Sequence, residues 1–110
     1  MTDQMQKKRP AYAVIFPSQR TDEDAEGYHK TAQRMVELAL AQPGCLGFDT
    51  ARDAEGFGIT VSYWESLEAI KAWRDHPEHK VAQAGGRENW YAHYDVHITK
   101  IEHTYSFPKK

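Results

Sequence analysis

The sequence predicts an α+β domain, a ferredoxin-like split βαβ sandwich with the order βαββαβ. Three observations point to it. Runs rich in β-branched and aromatic residues occur at 11–16, 46–51, 57–63 and 95–105. Apolar residues recur at helical spacing between the first and second runs and between the third and fourth. Turn or cap residues stand at the junctions. This order yields a four-stranded antiparallel sheet with helices on one face.

Each element has a local reason. Ala11-Tyr-Ala-Val-Ile-Phe16 reads as a strand ended by Pro17 and Ser18. Thr21-Asp-Glu-Asp24 offers a hydroxyl cap with a carboxylate three residues later, so a helix is expected to start there and run to about Ala41. Ala25, Tyr28, Ala32, Met35, Val36 and Ala39 form its apolar stripe, and Gln42-Pro43-Gly44 stops it. Leu46 to Ala51 and Phe57 to Tyr63 suit a hairpin across Arg52-Asp-Ala-Glu-Gly56. Phe57, Ile59, Val61 and Tyr63 share one face of the second arm. Ser66 caps a helix with Leu67, Ile70 and Trp73 inside. His76, biased out of the α region by Pro77, ends that helix, and Pro77 opens the next. Gly85-Gly86 is expected to close it. Asp95 to Tyr105 reads as one long last strand, with a bulge or change of environment near Thr99 and Lys100 because the apolar parity switches there.

The 110 residues are expected to form a flexible tail over 1–10, a single domain over 11–107 and a short tail over 108–110. A net charge of -2 argues against non-specific nucleic-acid binding, which needs a basic face. No apolar run reaches membrane-spanning length, and residues 1–10 lack a signal-peptide core. Cys45 is the only cysteine, so no intramolecular disulfide forms and a cytoplasmic home is expected. The sheet face opposite the helices has no later segment to cover it. Two chains are therefore expected to pack sheet against sheet.

Candidate chemistry is narrower than six histidines suggest. His93 and His97 lie on one side of a strand but ~13 Å apart, too far to share an ion. His76 and His79 lack a full ligand set, so no metal is expected. Cys45 has no base beside it in sequence and reads as a small buried thiol. The aromatic set is more informative: Trp64, Trp73, Trp90, Tyr91 and Tyr94 fall at strand ends, on a helix stripe or just before the last strand. There they can line a cavity for a flat, mostly apolar ligand, or simply pack the core.

Tyr63-Trp64-Glu65-Ser66-Leu67-Glu68-Ala69, Ala72-Trp73-Arg74 and His76-Pro77-Glu78-His79 resemble the antibiotic biosynthesis monooxygenase (ABM) family of the dimeric α+β barrel superfamily. The element order extends this resemblance from Tyr12 to about Phe107. It implies a homodimer joined through sheet faces, a small aromatic ligand, and oxidation of an aromatic or polyketide-like substrate by O2 without flavin, haem or metal. In quinone-forming relatives a tryptophan, tyrosine, asparagine and arginine hold the substrate. The same types occur here as Trp64 or Trp73, Tyr91 or Tyr94, Asn89 and Arg87, with Trp90 beside them. A neutral histidine can take the substrate proton, and His76, His79 and His97 are the candidates. Haem-degrading relatives place an asparagine on the first strand and an iron-ligating histidine ten residues after the helix tryptophan. Ten residues after Trp73 stands Gln83, and Ala11 to Phe16 contains no asparagine, so haem is not expected as a cofactor. A non-catalytic binding protein for an aromatic metabolite is the alternative.

Overall fold

The computed structural model describes residues 9–108. Of the expected tails, residues 1–8 and 109–110 lie outside the described residues. The elements are β1 (Tyr12–Arg20), α1 (Ala25–Ala41), β2 (Cys45–Arg52), β3 (Phe57–Trp64), α2 (Leu67–Arg74), α3 (Pro77–Gly85), a π-helical turn (Gly86–Trp90), β4 (Tyr91–Tyr94) and β5 (His97–Lys100). The sheet order is β2-β3-β1-β4, with β5 also on β1 and every pairing antiparallel. This is the predicted α+β ferredoxin-like arrangement, with the last strand in two pieces.

The division of that strand follows from one residue. β1 does not stop at Pro17 but runs through it to Arg20. Ile15 faces His97 and Ser18 faces Tyr94, so β5 and β4 share one register across the gap at Asp95 and Val96. The Pro17 carbonyl accepts from the Asp95 N–H at 3.1 Å on that edge. A residue's N–H and C=O point to the same edge of a strand, so proline's missing donor also faces the gap. The expected single strand to Tyr105 therefore breaks at 95–96 and ends at Lys100. The register shift lies between Gln19 and Arg20, not near Thr99.

The helix caps are partly as expected. Ser66 Oγ accepts from the Ala69 N–H at 3.1 Å, and His76 caps α3 with Pro77 in its first turn. The cap of α1, however, is Asp24, not Thr21. Asp24 takes the left-handed conformation, which a short polar side chain tolerates, and its Oδ1 accepts from the Gly27 N–H at 3.1 Å. Thr21 is drawn elsewhere: its hydroxyl accepts from the Glu23 N–H and donates to the Asn89 carbonyl at 2.6 Å.

Gly85-Gly86 is not a helix stop. Both residues are helical, and the chain continues into the π-helical turn, a form with i→i+5 bonds. Their bareness serves close approach. A Cβ on Gly85 would lie 2.9 Å from the Trp90 ring, and one on Gly86 3.0 Å from the Tyr91 ring.

The helices cover one sheet face. On β3, Gly58 and Trp64 are buried beneath them, whereas Phe57 and Ile59, of opposite parity, remain 42% and 43% exposed. Ile15, Pro17, Val61 and Tyr63 share the open side by the same alternation. Among the described residues no helix is long and apolar enough to cross a membrane.

Gly86→Ala tests the ring packing. Alanine favours a helix by roughly 0.5–1 kcal/mol, but overpacking against Tyr91 costs about 1–3 kcal/mol. A net loss of ~1–2 kcal/mol is expected, read as a lower urea midpoint with an unchanged m-value.

Candidate active site

Two separate groups of side chains carry the candidate chemistry. The first sits at the joint between α2 and α3. Trp73 ends the inner stripe of α2, and its carbonyl is one of the acceptors a helix C-terminus leaves over. Because Pro77 restarts the helix at once, His79 returns to that end. Its ring stacks on the Trp73 indole with centroids 4.1 Å apart and planes 15° off parallel. His79 Nδ1 lies 3.0 Å from the Trp73 carbonyl oxygen. A carbonyl only accepts, so Nδ1 carries the proton and Nε2 keeps its lone pair. His76 lies 5.6 Å from the indole by ring centroid. Its Nδ1 accepts from the Glu78 N–H at 3.1 Å, which leaves the proton of the neutral ring on Nε2. One imidazole thus offers an acceptor and the other a donor.

Burial pushes the His79 pKa below its ordinary value. The Trp73 carbonyl opposes that shift and the nearby His76 adds to it. His79 is therefore a neutral imidazole at pH 7.

The second group surrounds Tyr28 and Tyr91. Phe16 meets Tyr91 edge-on at 5.5 Å and Tyr94 at 5.2 Å, while Tyr28 meets Trp90 at 6.2 Å and Tyr91 at 5.9 Å. The Arg20 guanidinium lies 3.9 Å from the Tyr28 ring centroid and donates to the Trp90 carbonyl at 2.7 Å. Arg52 crosses β3 over Gly58, where a Cβ would come within 2.8 Å of its guanidinium carbon. It then donates to Ser18 Oγ at 2.9 Å and to the Ser18 and Gly56 carbonyls at 3.2 and 2.7 Å. Ser18 is fully buried. Burial pushes the Tyr91 phenol far above the usual tyrosine range, with Tyr28 adding to it and the two arginines pulling back. Tyr91 therefore acts as a neutral hydrogen-bonding group.

The remaining candidates scatter. Trp64 is 1% exposed and donates its indole N–H to Ser62 Oγ at 2.8 Å. Arg87 reaches the Tyr94 hydroxyl at 3.4 Å. Asn89 is exposed, and His97 is exposed opposite Ile15, on the sheet face away from His76 and His79. Tyr28, Arg20, Arg52 and Phe16 belong to the second group although sequence reasoning did not single them out. Among the described residues, no three His, Cys, Asp or Glu side chains gather as a metal site.

A small open-faced sheet carrying helices on one side has known counterparts in fold. The sequence signature of the antibiotic biosynthesis monooxygenase family matches residues 11–85. The uncharacterized protein YqjZ of Bacillus subtilis (strain 168) is 52% identical over 93 residues, covering 84% of this chain and 81% of that protein. The chain belongs to the antibiotic biosynthesis monooxygenase family. In fold it is similar to Rv0793 from Mycobacterium tuberculosis, with a TM-score of 0.75 and 19% identity over 86% of this chain and 98% of that one. It is similar also to SnoaB, a cofactor-independent oxygenase from Streptomyces nogalater, with a TM-score of 0.73 and 12% identity over 87% and 97%.

The His79 assignment has a pH signature. Its folded pKa lies below the unfolded value of ~6.5, so the unfolded chain binds more protons between the two. Its contribution to stability is complete above ~6.5 and is lost as pH falls through the folded pKa. His79→Leu should flatten the fall in urea stability as pH drops below ~6.5. Nitrogen NMR of the wild type should show the Nδ1–H tautomer at neutral pH.

Proposed function

We propose that this chain is a small-molecule monooxygenase that oxidises an aromatic or polyketide-like ring with O2 and no cofactor. The observation that carries the reading is the neutral His79, its Nδ1–H engaged by the Trp73 carbonyl and its Nε2 left with a lone pair beside the indole. Such a nitrogen is a general base. The reaction asks for little more. Nε2 takes a proton from an activated C–H of the substrate, leaving an electron-rich enolate that a donor such as His76 Nε2–H stabilises. The enolate gives one electron to O2, the substrate radical combines with superoxide to form a peroxide anion, and that anion takes the proton back from His79 to become a hydroperoxide. Loss of water from that hydroperoxide leaves a new carbonyl, with one oxygen atom in the product and one in water. The electrons come from the substrate, so the balance closes without a reductant.

Trp73, Trp90, Tyr91 and Tyr94 supply the aromatic surroundings in this reading, and Arg87 adds a donor beside Tyr94. SnoaB, similar in fold, is a cofactor-independent oxygenase, which supports the reaction class. We further propose a cytoplasmic homodimer joined through the open sheet faces, with residues 11–107 as the working domain.

Oxygen uptake with a dithranol-type anthrone tests the reaction. Turnover should exceed uncatalysed autoxidation, and His79→Ala should lower kcat by about 10²–10⁴-fold. Saturable quenching of tryptophan fluorescence with no excess turnover would instead favour the metabolite-binding alternative.

Haem has no place in the proposal, because Gln83 offers an amide on α3 where an iron ligand would be imidazole. Titrating hemin should give no saturable Soret shift. A one-to-one shift abolished by His79→Ala would make haem degradation the better reading.

A further inference from the structure

The hairpin end of the sheet brings two arginines to one place. Arg20 ends β1 and Arg52 ends β2, and the Gly56 carbonyl accepts from both, from the Arg20 backbone N–H at 2.9 Å and from Arg52 Nη1 at 2.7 Å. Gly58 has no side chain to stop Arg52 from crossing β3 toward Ser18. Both guanidinium groups consequently meet the Tyr28 ring, their carbons 3.9 Å from its centroid for Arg20 and 6.0 Å for Arg52. Arg52 also lies 5.9 Å from the Tyr91 ring centroid.

Among the described residues no ion pair joins Arg20 or Arg52 to a carboxylate. Asp24, which borders the group through Trp90, is engaged instead by the Gly27 N–H at 3.1 Å and the Trp90 indole N–H at 3.2 Å. Both arginines are half-buried, and charges withdrawn from water are ordinarily paired. Their donors are only partly used. Arg20 donates through Nη1, and Arg52 through Nη1 and Nη2. The Nε–H of each, and Nη2 of Arg20, have no protein acceptor. No buried side-chain nitrogen or oxygen among the described residues lacks a hydrogen bond, so these unused donors are open to solvent. Arg20 thus presents its Nε–Nη2 edge, one of the two-pronged edges that pair with a carboxylate, while backbone carbonyls hold both side chains in place.

We propose that Arg20 and Arg52, with the phenols of Tyr28 and Tyr91, form a binding site for a small aromatic carboxylate, separate from the Trp73–His79 joint. Every free group there, guanidinium N–H or phenol O–H, can donate a hydrogen bond, and a carboxylate only accepts. Burial keeps the Tyr91 phenol protonated and therefore a donor. The rings supply the apolar side of the site: Tyr28 meets Tyr91 edge-on at 5.9 Å, and Phe16 meets Tyr91 at 5.5 Å. A flat ring bearing a carboxylate matches both the rings and the charge. Tyr91 is shared with the aromatic surroundings proposed for the oxygenase, but His79 takes no part, so binding is measured without turnover.

Nitrogen–proton NMR of the arginine Nε–H groups of the full chain tests it, with sodium benzoate as the probe at constant ionic strength. Benzoate should shift the Arg20 and Arg52 signals saturably. Benzamide, which keeps the ring and loses the charge, and inorganic phosphate, which keeps charge and loses the ring, should each bind roughly tenfold more weakly or worse. Arg20→Gln should weaken benzoate by roughly tenfold or more, with a urea midpoint showing that the variant is folded. The comparison of the three probes on the wild type needs no variant. An absence of saturation, benzamide binding as well as benzoate, or shifts confined to other arginines would overturn the site. A folded Arg20→Gln that binds benzoate like the wild type would do the same, and phosphate binding equally well would overturn the aromatic carboxylate as its ligand. Anthrone turnover reads the monooxygenase proposal separately: its failure leaves a benzoate site intact, and a missing benzoate site leaves turnover intact.

Discussion

β1 is hydrogen-bonded along both edges, to β3 on one side and to β4 and β5 on the other, and the rest of the molecule is arranged by what it permits. Proline in a central strand removes a ladder bond and is uncommon there. Here the loss falls on the edge facing the last strand, so β3 pairs without interruption while the last strand divides. The pairing with β4 shifts register one step further on, between Gln19 and Arg20. That places Tyr91 opposite Arg20 and both Tyr91 and Tyr94 against Phe16. The aromatic group under the sheet is thus a consequence of the irregular edge of β1.

The Trp73 carbonyl plays a comparable part in the helical layer. It accepts from the His76 N–H at 3.1 Å and faces His79 Nδ1 at 3.0 Å. The same atom therefore finishes α2, sets the turn into α3 and selects the His79 tautomer. Arg34 ties α3 to α1 by a pair of bonds to Glu78, 3.1 and 3.2 Å long. That pair is exposed and contributes little energy by itself. It aligns two helices whose inner surfaces are only half-buried.

Features governed by neighbouring residues were legible in the sequence. Ser66 before a helical stripe and His76-Pro77 between two helices act within a turn of themselves, and the order of elements follows from them. Features that depend on distant residues were not. Thr21 looks like a cap because its neighbours are acidic, but the carbonyl that engages its hydroxyl belongs to Asn89. Pro17 and Gly85-Gly86 carry the local signals of an ending. The strand survives because proline's missing bond meets a gap, and the glycines remain helical because Trp90 and Tyr91 need their space. Of the candidate site, the short spacing from Trp73 to His79 is readable in one stretch. Arg20, Arg52 and Tyr28 come from three different elements, and only the finished sheet brings them to Tyr91.

The π-helical turn at Gly86–Trp90 accommodates one residue more than an α-helical path of similar length. Each residue of an α-helix turns the chain by about 100°, so deleting a single codon here would re-aim the side chains of the turn itself instead of merely shortening a loop. Trp90 would exchange places with a neighbour while the sheet and the Trp73–His79 joint stayed as they are. Small insertions and deletions at this point offer a route by which the shape of the aromatic lining can diverge faster than the groups that hold the proton.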